Sequence, residues 1–218
     1  GTGLSWAALA PISLPGGDLG YAVGMEYQKI EYKDSRDAQQ AAGNVLGTYG
    51  GDSAGDRSYK AAFVELELPV LDHLNVKLAS RYDQYSLPDV GQLSSSVNVR
   101  YEALDNLVLR ASYGQGFRAP SLDDLLGKPA TSYDRVTDTT LCQSLPPDQQ
   151  NGNPACEDNQ YLRKSSGNKD LDPEKSAQYS FGAVWNITEN IDFVVDYYNI
   201  EITDQVSYIG AQTIVDLE

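Results

Sequence analysis

The chain has 218 residues and sets 16 Lys and Arg against 31 Asp and Glu, a formal charge of -15. That length can carry one sizeable domain with its own core, and that charge excludes a nucleic-acid partner, because neutralising phosphates takes clustered cations. No run of eighteen apolar residues occurs, which rules out a membrane-spanning helix and leaves a membrane-spanning barrel open.

Period-two alternation places eight strands, at 4–10, 19–32, 60–68, 74–85, 92–101, 106–114, 176–186 and 191–202. Their connections follow a rule of length. Residues 11–18, 69–73, 102–105 and 187–190 are short; 33–59 and 115–175 are long; 86–91 is intermediate. Short and longer connections alternate, as in an antiparallel up-and-down meander with tight turns at one end and extended loops at the other. A soluble sandwich has no reason to sort its loops by parity.

Side-chain parity divides the strands again. One face carries Tyr21, Val23, Met25 and Tyr27, then Val64, Leu66, Leu78, Tyr82, Leu93, Val97, Leu109, Tyr113, Tyr179, Phe181, Phe193 and Tyr197, without a charge. The other carries Glu26, Glu65, Glu67, Lys77, Arg81, Asp83, Arg100, Glu102, Arg110, Asp192 and Asp196. A charge facing hydrocarbon at mid-membrane costs roughly 2–4 kcal/mol, so lipid selects an uncharged face. The inner face of a sandwich excludes charge as well, so alternation alone leaves both readings. Tyr27, Tyr82, Tyr113, Tyr179 and Tyr197 fall toward the long-loop ends, and Tyr21, Tyr101 and Trp185 toward the short turns. Two such belts suit a bilayer, since these rings are apolar with a polar tip; strand propensity alone is the plainer explanation.

The strand at 106–114 runs into Gly114-Gln115-Gly116-Phe117-Arg118-Ala119-Pro120-Ser121. The glycines let the backbone leave the ladder, Pro120 removes a donor that a continuing strand needs, and Ser121 is placed to cap a short helical turn over 121–126. This block resembles the "GFRAPS" signature in the barrel of TonB-dependent outer-membrane receptors. Asn168-Lys169-Asp170-Leu171-Asp172-Pro173-Glu174-Lys175-Ser176 resembles the family's "N-x-x-L-x-P-E-x-S" stretch, and Ala62 to Leu71 its "F-x-E-L-x-x-P" strand and turn. The three stand in the family's order, and the resemblance covers about 18–205. It implies an all-β fold: about eight strands of a large, 22-stranded type of transmembrane barrel with long extracellular loops, in the outer membrane of a Gram-negative bacterium. It assigns Gly116, Phe117, Arg118, Ala119, Pro120, Ser121, Leu171, Pro173, Glu174 and Ser176 to architecture. The expected partners are the receptor's plug domain, the TonB-ExbB-ExbD complex acting through that plug, outer-membrane lipid and a small nutrient ligand. With no plug or TonB box in the sequence, the chain reads as an internal piece of a longer receptor.

Binding residues are expected where loops crown a rigid scaffold. The loop at 115–175 offers Arg118, Tyr133, Arg135, Tyr161 and Arg163, and the ionic face offers Arg81 and Asp83. The competing reading of the ionic face is mutual ion pairing or contact with the plug. Cys142 and Cys156 are the only cysteines; a disulfide fits an exported protein, two free thiols are the alternative, and the lone His73 lies too far off in sequence to suggest zinc. No nucleophile motif, zinc motif or phosphate loop is present, so neither enzyme activity, a metal nor a cofactor is expected. The nutrient can be a ferric siderophore, a cobalamin-like chelate or an oligosaccharide. The rival function is a soluble carbohydrate-binding β-sandwich or adhesin module, which would bury the uncharged parity against a second sheet.

Overall fold

A computed structural model describes residues 1–45 and 48–217. In chain order its strands are β1 (Thr2–Leu14), β2 (Gly17–Asp34), β3 (Thr48–Gly50), β4 (Ser53–Leu71), β5 (Leu74–Ser86), β6 (Asp89–Leu104), β7 (Leu107–Arg118), β8 (Ala130–Val136), β9 (Asn159–Ser165), β10 (Glu174–Thr188) and β11 (Ile191–Thr203). The helices are α1 (Ala38–Ala41), α2 (Leu122–Leu126), α3 (Thr139–Ser144), α4 (Pro147–Gln150) and α5 (Ala211–Asp216), with a 3-10 turn at Pro154–Cys156. The chain divides into two units. One comprises residues 1–30, 56–120 and 171–205, and the other 31–55, 121–170 and 206–218.

The first unit is built on an antiparallel sheet in the order β1-β2-β4-β5-β6-β7-β10-β11, eight strands laid down in chain order. The meander expected from loop parity is therefore present. Register keeps each parity on one face across the sheet: Leu66 pairs with Leu78, Leu78 with Val97, Val97 with Tyr113, and Tyr113 with Tyr179. These side chains are not covered. Leu4 is 84 % exposed, Met25 72 %, Leu93 63 % and Tyr197 58 %. A sandwich would have buried them, so the alternative of a two-sheet module fails on the packing.

The opposite face is held by polar pairs. Glu67 meets its register partner Lys77 at 3.3 Å, and Arg110 grips Asp196 through two nitrogens. The second contact spans β10 at Gly182, which pairs with Arg110 on one side and Asp196 on the other. A Cβ there would lie 2.0 Å from the Asp196 carboxylate. Gly24 answers a similar demand: a Cβ would sit 2.4 Å from the Phe63 ring. At the β1–β2 turn, Gly16 donates to the Pro69 carbonyl at 3.1 Å, and Gly17 takes φ +134°.

Three expectations need correction. The first strand, read as 4–10, runs Thr2–Leu14, with a register shift between Leu9 and Ser13. The connection at 86–91 is not intermediate: β5 and β6 pair as far as Ser86 and Asp89, leaving Leu87 and Pro88 as a tight turn. The long stretches 33–59 and 115–175 are not simply loop. They contribute to the second unit, which holds the sheet β3-β8-β9, α1 to α5 and a disulfide. The strands β8 and β9 are seven residues each and mostly polar, so hydrophobic periodicity gave them no signal.

Candidate functional site

The sheet motif of the first unit is an assembly of pairs across one ladder. The β7–β10 register sets Gly116 opposite Ser176, Phe117 opposite Lys175 and Arg118 opposite Glu174. Two sequence motifs more than fifty residues apart thus face each other. Arg118 holds Glu174 with two nitrogens, each at 2.5 Å. Pro120 and Pro173 are fully buried. The Pro120 carbonyl accepts from Arg57 at 2.5 Å, and the Arg57 guanidinium lies 5.2 Å from the centroid of the Tyr85 ring. Tyr85 stacks on Tyr59 at 5.3 Å and meets Phe117 edge-on at 6.0 Å. Fixing a chain as it leaves a sheet takes contacts of this kind, because the ladder itself has ended.

Arg81 and Asp83 are likewise engaged. The Arg81 Nε lies 3.0 Å from both Asp83 oxygens and its Nη2 donates to Glu26 at 2.9 Å, while the Tyr59 hydroxyl donates to Glu26 at 2.7 Å. Asp83 is 3 % exposed, and its charge is matched within the cluster. Beside it lies a pocket of about 350 Å³ lined by Phe63, Glu65, Arg81, Ser94, Ser96 and Gln115. Small hydroxyls, an amide and a carboxylate there can hydrogen-bond a polar surface.

In the second unit, helix α2 begins with a reciprocal cap. Ser121 Oγ accepts from the Asp124 amide at 3.1 Å, and the Asp124 carboxylate accepts from the Ser121 amide at 3.0 Å. The helical turn expected over 121–126 is therefore present, and Leu122 and Leu125 are its buried residues. The Asp123 carboxylate accepts from Tyr32 at 2.7 Å and pushes that phenol up to about 12. Tyr32 lies beyond the tyrosine-bordered apolar band.

Of the five loop candidates, the four other than Arg118 fall on opposite faces of the small sheet. Register pairs Ser132 with Arg163 and Asp134 with Tyr161 on one face, and Tyr133 with Leu162 and Arg135 with Gln160 on the other. Arg163 is committed to structure: it donates to Asp134 at 3.2 Å and to the Ile209 carbonyl at 3.3 Å. Tyr133 and Leu162 are 55 % and 50 % exposed, and Arg135 donates to Asp158, to its carbonyl at 3.3 Å and its carboxylate at 3.4 Å. Tyr133 and Arg135 share their face with exposed Leu162 and Lys164, while Tyr161, 51 % exposed, lies on the other. Sequence reading passed over Leu162 and Lys164, because β9 is mostly polar and only its register with β8 puts them on the face of Tyr133. Cys142 and Cys156 form a disulfide with Cα atoms 5.0 Å apart. Among the described residues no three His, Cys, Asp or Glu side chains gather to hold a metal. His73 sits in a turn with its ring 5.5 Å from Tyr101.

The model of the TonB dependent receptor-like β-barrel family matches residues 2–217. The chain belongs to this family. As a TonB-dependent receptor barrel segment it stands within a family of receptors rather than of enzymes, and its solved likenesses agree on the fold. The siderophore receptor PirA of Acinetobacter baumannii superposes with a TM-score of 0.66 at 19% identity, over 93% of this chain and 27% of that one. The ferric enterobactin receptor PfeA of Pseudomonas aeruginosa, as the Q482A mutant in complex with enterobactin, gives 0.67 at 14% identity over 92% and 26%. The same receptor in complex with BCV-L6 gives 0.66 at 15% identity, again over 92% and 26%. The chain thus spans about a quarter of the length of these structures. No curated protein matches it in sequence.

Proposed function

We propose that this chain is the wall and outer-loop segment of an outer-membrane receptor that takes up a scarce nutrient in a TonB-dependent manner, in a Gram-negative bacterium. The observation that carries this reading is the exposed uncharged face of the eight-stranded sheet, backed by a face of paired ions. Acyl chains suit the first and an aqueous bore with its plug suits the second. The long loops are extracellular in this reading. Energy comes from the TonB-ExbB-ExbD complex through the plug, and the segment performs no covalent chemistry.

Among the three nutrient classes a ferric siderophore is the first choice. The solved likenesses include receptors named for siderophores, and Tyr133, Arg135 and Lys164 offer an aromatic surface and cations to an anionic chelate. Arg118, Arg81 and Asp83 serve the wall in this reading, each through the partners described above. The test is uptake of labelled ferric siderophores, a cobalamin and oligosaccharides by cells carrying the intact receptor, with and without TonB. TonB-dependent uptake of a ferric siderophore, reduced by Tyr133→Ala with Arg135→Ala, is the expected result. Uptake of a sugar alone would overturn the substrate class, and TonB-independent flux would overturn the function.

A further inference from the structure

The end of the chain returns to the small sheet in a way that the barrel reading does not require. Beyond β11, residues 206–217 lead into α5, whose Gln212 faces Thr137, the residue that follows β8. The Thr137 amide donates to Gln212 Oε1 at 2.9 Å, and Gln212 Nε2 donates to the Thr137 carbonyl at 2.8 Å. One side-chain amide thus imitates a strand partner just where the β8–β9 ladder stops, at Val136 opposite Asn159. Arg163 donates to the Ile209 carbonyl on one side, and Thr139 donates to Asp216 at 2.8 Å on the other. The Gln212 amide also reaches Asp216, at 2.8 Å, which fixes its orientation.

Two of these docking points, Thr137 and Thr139, flank Asp138. That residue caps α3 by accepting from the Leu141 amide at 2.8 Å, and α3 carries Cys142, bonded to Cys156 at the end of the 3-10 turn. Ala155, next to that cysteine, is 7 % exposed, and Val136 is 3 % exposed. The disulfide therefore anchors a helix of six residues, too short to persist alone, whose first turn is the landing site for α5.

We propose that residues 206–217 are a strap that docks on the end of β8 and the start of α3 only while the Cys142–Cys156 disulfide is intact, so that two loops distant in sequence fold as one body and separate on reduction. A dithiol reductant supplies the chemistry. It donates two electrons and two protons, the S–S bond breaks to give two thiols, and the reductant closes to its own disulfide. Without the bond, α3 loses its tether, Thr137 and Thr139 lose their fixed spacing, and the Gln212 clamp opens.

Amide hydrogen exchange at Thr137 reads the clamp, since its only partner among the described residues is Gln212. The intact receptor in detergent is compared in its oxidised state, after dithiothreitol, and as Cys142→Ser with Cys156→Ser; Gln212→Ala calibrates an open clamp. The expected result is that the Thr137 amide exchanges at least about tenfold faster on reduction and in the double serine variant, approaching the Gln212→Ala rate, while amides of β5 and β6 keep their protection. Unchanged Thr137 protection in the double serine variant would overturn the proposal. So would a matching loss in β5 and β6, because the disulfide would then support the whole fold rather than the strap.

Discussion

Gly24 and Gly182 are both places where a Cβ would crowd its neighbours, but the neighbours differ in how far they can yield. At Gly24 a Cβ meets the rigid Phe63 ring at 2.4 Å and the Leu4 carbonyl at 3.0 Å. At Gly182 it meets the Asp196 carboxylate at 2.0 Å and Arg110 at Nε, 2.8 Å, and Cγ, 3.1 Å, on side chains 42 % and 50 % exposed that have room to turn away. Gly24→Leu is therefore expected to cost on the order of 1–3 kcal/mol through overpacking, and Gly182→Ala less than about 1 kcal/mol through a displaced surface pair. Thermal unfolding in detergent orders the two; equal losses would show that the ring at Phe63 yields. The Arg118–Glu174 pair is read in the same way. Its geometry is good, yet the arginine side chain is 60 % exposed, so a double-mutant cycle on Arg118→Ala and Glu174→Ala is expected to return a coupling below about 1 kcal/mol. A much larger coupling would mean that the pair is shielded from water in the assembled receptor.

Strands make the next scale, and alternation along one of them carries a sharper expectation. Val97 lies on the uncharged face between Leu78 and Tyr113; its neighbour Ser96 lies on the ionic face beside the pocket that holds Glu65. Val97→Arg is expected to cost about 2–4 kcal/mol in a bilayer, while Ser96→Arg changes stability by about 0.5 kcal/mol or less. Folding yield into vesicles of stated lipid, titrated with urea, measures both; similar costs would contradict the assignment of faces. How far each element was legible follows from the same physics. The wall strands were legible because a half-apolar strand writes period two into the sequence. The ends were less so: β4 begins at Ser53, seven residues before its apolar alternation starts at 60, because residues 53–59 are mostly small or polar and carry no period-two pattern. The motifs at Arg118 and Glu174 were readable as signatures, but that they pair across one ladder was not, since pairing partners leave no local trace. Likewise α5 is six residues with no buried side chain of its own, and its role rests on the polar side chains of Gln212 and Asp216. Tyr133 and Arg135 were singled out by residue type, whereas their separation from Tyr161 and Arg163 depends on a register that residue type does not encode.

For the whole molecule, the question is what touches the uncharged face. The sheet leaves Leu4, Met25, Leu93, Phe193 and Tyr197 more than half exposed, an area of apolar surface that soluble proteins avoid unless something covers it. Family membership and the ion-paired opposite face both point to lipid as the cover. The most direct measurement places single nitroxide labels at successive positions 93–101 of β6 in the intact receptor in a bilayer, and compares relaxation by oxygen with relaxation by a water-soluble nickel chelate. Labels at 93, 95, 97 and 99 should respond to oxygen and those at 94, 96, 98 and 100 to the chelate or to neither. The reverse alternation, or no alternation, would contradict a lipid-facing wall.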